Sequence, residues 1–283
     1  MRVSALGDHV QLYLGEPETV RADHDLPHGM VCVRSLRSPD KSTPNEDAAA
    51  VIQVGADSLV LAVADGVGGT PAGREASNAA VRTLCRVLGE SRATEPSQLR
   101  PVILDAVEEA NKAVLELARG AATTLVVAEL VAKRLRSYHV GDSELITVGQ
   151  RGRVKARVVP HSPTGFAVEA GLLDQDEAVQ HDQRHVLFNV IGTQDMRVEI
   201  GPALELAAHD TVLLASDGLF DNLFLDEIVE LIRVGPLPAA ADRLVAAARE
   251  RMGADGADGR PCKPDDLTIV LFRPHRKPKS LSD

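Results

Sequence analysis

Five apolar, β-prone runs in this chain each end at, or begin from, a short acidic motif. The motifs are NED at 45–47, VADGVGG at 63–69, VGDSE at 140–144, LLASDG at 213–218 and PDDLTIV at 264–270. An ionised carboxylate at the end of a buried strand is costly unless it is paired with a cation or bound to a metal ion. The pattern therefore predicts a β-rich core whose strand ends converge on one oxygen-rich site, which suits Mg²⁺ or Mn²⁺.

The remaining segments alternate between strand-like and helix-like blocks. Short β-like runs before residue 66 are followed by two amphipathic helices, one after Gly69 and one over 98–119. Further strands are predicted over 123–160 and in VLFNVIG (186–192), MRVEI (196–200) and DTVLLASD (210–217). Helices over 225–233 and 239–252 and a last strand, LTIVLF at 267–272, complete the chain. Strand blocks separated by helix pairs favour an α+β fold over a strictly alternating α/β fold.

Two segments do not follow this alternation of strand-like and helix-like blocks. Residues 161–188 combine a short helix with acidic and histidine residues and little core material, which is typical of a mobile surface segment. The basic end of the chain, 274–283, is predicted to be a disordered tail. We expect residues 1–273 to form a single domain.

Composition excludes several classes of protein. Lys and Arg total 31 against 41 Asp and Glu, a formal charge of −10, which argues against nucleic acid or an anionic membrane as a partner. Three cysteines without CxxC spacing predict neither a disulfide framework nor a zinc site. Because no signal-like or membrane-spanning run is visible, we expect a cytoplasmic protein.

Each acidic motif taken alone is explained at least as well by local structure. An isolated Asp-Gly pair, the NED motif and Asp142 are more often turns, and Asp217 is as typical of a helix cap as of a metal ligand. VLAVADGVGG is the strongest motif, because its three glycines exceed what a hairpin needs and allow close approach of the backbone to a ligand.

Together and in this order, the motifs resemble those of the metal-dependent protein phosphatases, the type 2C serine/threonine phosphatases, over about residues 30–272. The resemblance implies a four-layer α-β-β-α sandwich with two central antiparallel sheets flanked by helix pairs, and it makes 161–188 the flap beside the cleft. It also implies hydrolysis of phosphoserine and phosphothreonine by direct attack of a hydroxide that bridges two divalent metal ions, Mn²⁺ or Mg²⁺. No phosphoenzyme is implied, which agrees with the lack of a recognisable cysteine nucleophile.

The resemblance assigns the central ligands. Asp65 bridges the two ions, the carbonyl of Gly66 binds the second ion, and Asp217 and Asp265 hold the first. Asp65, Asp217 and Asp265 are thus the expected catalytic residues.

A less certain set of ligands surrounds this centre. Glu46 and Asp47 match the acidic pair that binds the second ion or its waters. Asp142 matches the aspartate that, in bacterial relatives, helps to hold a weaker third metal ion.

Some positions depart from the family pattern. The arginine that often precedes NED and binds the substrate phosphate is replaced by Ser42; Arg34, Arg37 or Lys41 are the substitutes considered, with Arg37 and Lys41 ranked equal. Alternatively, these basic residues are solvated on a loop and have no role in binding phosphate.

The sequence also leaves open which group acts as the general acid. Val67 stands where eukaryotic relatives carry a histidine, which leaves a metal-bound water or another residue such as His161 as the proton donor, although His161 is more typical of a surface histidine without a role. Glu144 and Asp266 add negative charge where the family usually has arginine and asparagine, and this charge is expected either to raise metal affinity or to repel phosphate.

The predicted partners are phosphorylated proteins and a cognate serine/threonine kinase, and a monomer is expected. Two alternatives stay open: a catalytically silent relative that acts as a binding or scaffold module, and a phosphohydrolase of small molecules. The presence of Asp65, Asp217 and Asp265 together favours an active enzyme.

Overall fold

The computed structural model describes residues 10–15, 19–55, 57–67, 72–91, 98–183, 186–254 and 260–275. Gly68 and Gly69 of the VADGVGG motif and residues 276–283 of the predicted tail lie outside the described residues. Pro274, the first residue of that tail, belongs to the last strand instead, and the ring of His275 binds the carbonyl oxygen of Leu26 at 2.9 Å.

Seven strands form the first sheet. They are β1 (Val10–Leu14), β4 (Asp47–Val54), β5 (Ser58–Asp65), β6 (Leu125–Val131), β7 (Arg134–Val140), β10 (Glu199–Ile200) and β11 (Leu204–Glu205). Their order is β1-β4-β5-β6-β7-β10, and β11 also pairs with β7. Every pair is antiparallel.

Six strands form the second sheet. They are β2 (Val20–Leu26), β3 (Gly29–Leu36), β8 (Glu144–Val148), β9 (Val154–Arg157), β12 (Thr211–Ala215) and β13 (Leu267–Pro274). They lie in the order β2-β3-β13-β12-β8-β9, again with antiparallel pairing throughout.

Helices cover the outer faces of both sheets. The helices are α1 (Ala72–Glu90), α2 (Leu99–Leu117), α3 (Pro163–Glu169), α4 (Gln175–Gln180), α5 (Asp217–Phe220), α6 (Leu225–Ile232) and α7 (Leu237–Met252). The apolar stripes of α1 and α2 pack on the first sheet, and those of α6 and α7 pack on the second. The predicted α+β fold, a four-layer α-β-β-α sandwich, is confirmed.

The core between the sheets is almost entirely aliphatic. Leu61 and Val126 of the first sheet meet Leu214 and Val270 of the second in one buried cluster. Removing this apolar surface from water is the main force that holds the two sheets together.

Several predicted elements differ from the observed ones. VLFNVIG is not a strand: Ile191 forms only an isolated bridge with Thr123, and Val186 and Phe188 are exposed. Within MRVEI only the two residues of β10 pair. VLFNVIG is apolar, but among the described residues only the bridge at Ile191 joins it to a neighbouring segment, so no ladder forms.

Two strands were not predicted from the sequence, the two-residue β11 and the longer β2. VRADHDL forms β2 at the edge of the second sheet, with alternating burial. The charged residues of this run are not typical of a strand. They are tolerated here because an edge strand has one open side and because Asp23 pairs with Arg34. The segment 161–188 also contains two helices, α3 and α4, rather than one.

Within the described residues, no helix is both long enough and apolar enough to cross a membrane.

Candidate functional site

The acidic motifs meet at one end of the sandwich because the strands that carry them run antiparallel. β4 begins at Asp47 and β5 ends at Asp65, and these two residues pair directly across the strands. In the second sheet, β12 ends at Ala215 next to the start of β13, which follows the PDD motif. Glu144 at the start of β8 pairs with Ala215, so the turn that carries Asp142 reaches the same end.

Asp47 is the most deeply buried of these acids. Its side chain is 0% exposed; the hydroxyl of Ser216 donates to Oδ2 at 2.8 Å, and Oδ1 has no hydrogen-bond partner in the described part of the chain. Burial, followed by the negative charge of Asp266, raises the pKa of Asp47 to about 8. A buried carboxylate oxygen without a donor needs a cation to offset its desolvation.

The other aspartates repel one another at close range. Burial and then the charges of Asp47 and Asp217 raise the pKa of Asp65 well above its usual value. Burial and Asp217 likewise raise the pKa of Asp265, and burial with the charge of Asp217 raises that of Asp142. The structure therefore brings together the five aspartates that the sequence singled out.

Two glycines allow this convergence. A Cβ atom on Gly66 would lie 2.3 Å from the backbone of Gly73 at the start of α1, and one on Gly218 would lie 1.9 Å from the carbonyl oxygen of Asp266. Contacts this short are not possible for any larger residue, so α1 and α5 approach the strand ends only because these positions are glycine.

Lys41 crosses the acidic end of the sandwich. Its ammonium lies 2.8 Å from Glu46 Oε2, 2.9 Å from Asp266 Oδ2 and 3.7 Å from Asp265 Oδ1. Asp266 also accepts hydrogen bonds from the backbone N–H groups of Ser38 and Glu46, at 2.7 and 2.9 Å. Asp266 thus anchors the loop between β3 and β4.

The two arginines considered as phosphate ligands lie elsewhere. Arg34 is buried in β3, where it forms ion pairs with Asp23 and with Asp242 of α7, so it serves the packing of α7 on the sheet. Arg37 is exposed in the loop after β3, and among the described residues it makes no ion pair with the acidic centre.

The extra charge of Glu144 is also compensated. Arg157 of β9 binds it through two hydrogen bonds, of 2.5 and 3.0 Å, and the guanidinium group lies 6.0 Å from the ring centre of Phe220. A paired carboxylate of this kind carries little net repulsion toward a phosphate.

Lys263 is a residue of the centre that the sequence analysis missed. Its ammonium lies 2.7 Å from Asp217 Oδ2, 2.8 Å from Asp221 Oδ2 and 3.0 Å from Asp265 Oδ2. It lies in the stretch GADGADGRPCKP, which has the composition of a flexible loop, and no feature of that composition signals the contact. Asp221, four residues after Asp217, is likewise new to the site.

His161 is not a surface histidine. It is only 5% exposed; its Nδ1 accepts the backbone N–H of Gly141 at 3.1 Å, and its Nε2 lies 3.2 Å from Glu199 Oε2. Its ring stacks on His139 with a centroid distance of 4.4 Å. These contacts join the start of the segment 161–188 to the turn that precedes Asp142, and they give His161 a structural role in the fold.

A cavity lies between that segment and the acidic centre. It is lined by Asp142, Asp217 and Asp221 and by residues of α3 and α4. Helices α3 and α4 therefore lie beside the candidate site.

The cysteines take no part in this chemistry. Cys32 is buried in β3, Cys85 is buried in α1, and Cys262 lies partly exposed in the loop before β13. Burial raises the pKa of the Cys85 thiol to about 12, and that of Cys32 also rises, so neither is poised to form a thiolate.

The donor set fits divalent metal ions. Carboxylates and a backbone carbonyl are the ligands that Mg²⁺ and Mn²⁺ prefer, and the partnerless Oδ1 of Asp47 is a buried oxygen with that chemistry.

Comparison with known proteins places this fold among the serine/threonine phosphatases. A relative from Listeria monocytogenes, serine/threonine phosphatase stp, is 27% identical over 220 residues, which cover 75% of this chain and 86% of the relative. The structure of the S. agalactiae serine/threonine phosphatase is 26% identical with a TM-score of 0.75, and the match covers 87% of this chain and 99% of that one. The catalytic domain of PstP in complex with two manganese ions shares the fold at 23% identity and a TM-score of 0.68, over 87% of this chain and 98% of that one.

The family model described as protein phosphatase 2C matches residues 38–253, which span the acidic motifs from NED to LLASDG. The chain therefore belongs to the protein phosphatase 2C family. The predicted family and its enzyme class, protein serine/threonine phosphatase, are confirmed.

Proposed function

We propose that this protein is a metal-dependent phosphatase that hydrolyses phosphoserine and phosphothreonine in protein substrates. One observation carries the proposal: five aspartates from both sheets meet at one end of the sandwich, where Asp47 Oδ1 is buried without a partner among the described residues. Such a set of acids is unfavourable for binding a phosphate unless cations are present.

The proposed cofactor is Mn²⁺ or Mg²⁺, with two ions and a third as an open alternative. A neighbour of the same fold that holds two manganese ions is consistent with this number. The residues that would hold the ions are Glu46, Asp47, Asp65, Gly66, Asp142, Asp217 and Asp265. When bound, such ions acidify water and offset the negative charge of the phosphoryl oxygens.

The chain's own groups position this centre. Ser216 fixes one oxygen of Asp47, and Asp266 holds the loop that presents Glu46. Of the two cations considered for the substrate phosphate, Lys41 is the one whose ammonium lies among the acids, so we propose Lys41 rather than Arg37 for this role.

The test is phosphate release from a phosphothreonine peptide, p-nitrophenyl phosphate and small phosphoesters, with Mn²⁺ and with a chelator. We expect Mn²⁺ to support release from the peptide and the chelator to abolish it. Asp217→Asn is expected to lower the rate by about 100-fold or more without unfolding the protein, because a ligand is lost while the core is kept. The exposed Asp195→Asn is the matched control and is expected to retain activity.

Each contrary outcome has a definite meaning. No release from any phosphopeptide favours the scaffold alternative, and a preference for small esters favours a small-molecule phosphohydrolase. Loss of folding in Asp217→Asn assigns that residue a structural role.

The proposal includes phosphoproteins as substrates and a cognate serine/threonine kinase. A cytoplasmic location, a monomer and a single domain over 1–273 with a flap at 161–188 stay predictions.

A further inference from the structure

The Lys263 ammonium is the cation most completely surrounded by acids at the candidate centre. Asp217, Asp221 and Asp265 each place one carboxylate oxygen within 3.0 Å of it. A lysine ammonium has three N–H donors, so these three carboxylates can satisfy all of them. Lys41, in contrast, approaches Asp265 only to 3.7 Å and is directed toward Glu46 and Asp266.

The backbone of Lys263 is fixed in place by a buried side chain. Asn222, which is 0% exposed, accepts the N–H of Lys263 at Oδ1 at 2.9 Å and donates from Nδ2 to its carbonyl oxygen at 2.8 Å. The same Nδ2 also donates to the carbonyl oxygen of Gly218 at 2.9 Å, which ties this lysine to α5. The side chain that carries the ammonium group is therefore attached to a backbone that is held in a fixed position.

We propose that Lys263 is a tethered cation of this centre, which neutralises Asp217 and Asp221 in the metal-free protein and competes with a divalent ion for them. The inference rests on the proposed function, since it concerns the affinity of the proposed metal centre. A divalent ion that shares Asp217 with the ammonium would lie within a few ångströms of a like charge, and such repulsion is strong where water is scarce. Binding on this side of the centre thus requires Lys263 to withdraw, which lowers the metal affinity.

The experiment compares Mn²⁺ binding to the full chain and to Lys263→Met by isothermal titration calorimetry, together with the rise in Tm that Mn²⁺ causes. We expect Lys263→Met to bind Mn²⁺ at least about tenfold more tightly at its weakest site, or to gain one further site, and to show a larger rise in Tm. Lys263→Arg keeps the charge and is expected to bind Mn²⁺ about as the wild type does.

Lys155→Met is the matched control for the loss of a lysine charge. Lys155 forms a 2.6 Å ion pair with Asp210 and is exposed to a similar extent, 28% against 23% for Lys263, but it lies away from the centre. We expect its Mn²⁺ affinity to match that of the wild type.

The outcomes separate the two proposals. Equal or weaker Mn²⁺ binding by a folded Lys263→Met overturns the role of Lys263 and leaves the proposed function intact. If the wild type binds no Mn²⁺, the metal-dependent function fails; a gain of binding in Lys263→Met then still supports the competition. If Lys263→Met does not fold, Lys263→Gln replaces it, and the same criteria apply.

Discussion

At the residue scale, the availability of an acid for a cation depends on the partners it already has. Asp266 and Glu144 are saturated, the first by backbone N–H groups and Lys41 and the second by Arg157. Asp47 lies in the same region with one oxygen unpartnered among the described residues. Asp266 and Glu144, which add negative charge in the sequence, therefore hold the loop between β3 and β4 and the strand β9 in place.

The role of Lys41 can be separated from that of Arg37 by charge-removing variants. Lys41→Met is expected to lower kcat/KM for a phosphopeptide by about tenfold or more, mostly through KM, because an ammonium among the acids is lost. Arg37→Met is expected to have the smaller effect, since Arg37 is exposed and makes no ion pair with the centre among the described residues. Steady-state kinetics at saturating Mn²⁺ provide the measurement, and a larger loss with Arg37→Met would reverse the assignment.

At the element scale, the segment 161–188 is fastened to the first sheet by a histidine pair. His139 of β7 stacks on His161, and its Nε2 donates to the carbonyl oxygen of Val159 at 2.9 Å. The Nδ1 of His139 is buried without a partner among the described residues, and burial lowers the pKa of this histidine. The nearby charge of Glu199 acts in the opposite direction but does not reverse the shift.

The His139 side chain predicts a contribution to stability that is lost in mild acid. Because the folded protein favours neutral His139, its contribution is fully present above the pKa of about 6.5 in the unfolded chain. The contribution is lost as the pH falls through the lower pKa of the folded state. The buried aspartates, whose pKa values are raised, act in the opposite direction, so the measurement compares wild type with variant: between pH 7.5 and pH 5, urea unfolding is expected to show that the wild type loses stability relative to His139→Phe.

The control for this prediction is His209→Phe in the turn before β12, which is expected to keep the wild-type pH dependence. A pH dependence that is unchanged in His139→Phe would show that other groups cause the acid sensitivity.

At the scale of the whole molecule, the site exists only while the two sheets are packed together. Asp47 and Asp65 come from the first sheet, whereas Asp217 and Asp265 come from the ends of strands in the second. The shared aliphatic cluster between the sheets holds these pairs of acids at one end. Folding and assembly of the site are therefore one event.

A cavity in that cluster should weaken the entire domain. Leu214→Ala, at a position that is 0% exposed, is expected to cost about 2–5 kcal/mol of unfolding free energy while unfolding in one transition. Leu172→Ala, at an 82% exposed position of the segment 161–188, is expected to change it by less than about 0.5 kcal/mol. Denaturant unfolding followed by circular dichroism measures both, and two separate transitions in Leu214→Ala would show that the sheets unfold independently.

The strands that carry the acids could be predicted because the composition of each run alone indicates a strand. β4 and β5 lie among the β-like runs predicted before residue 66, and the amphipathic stripes located α1 and α2. β2 and the segment VLFNVIG could not be predicted, because their state depends on whether a partner strand lies alongside, which is a property of the tertiary fold.

The sequence by itself determined the family, the order of strands and helix pairs, and the five aspartates, because apolar runs that end in acids are local patterns in fixed order. Only the tertiary structure decided which charges meet. It directed Arg34 to α7, buried His161 against His139, satisfied Asp266 and brought Lys263 to Asp217, which lies 46 positions earlier in the chain. Ion pairs between residues distant in the chain depend on how the sheets and loops pack, and no local pattern records that packing.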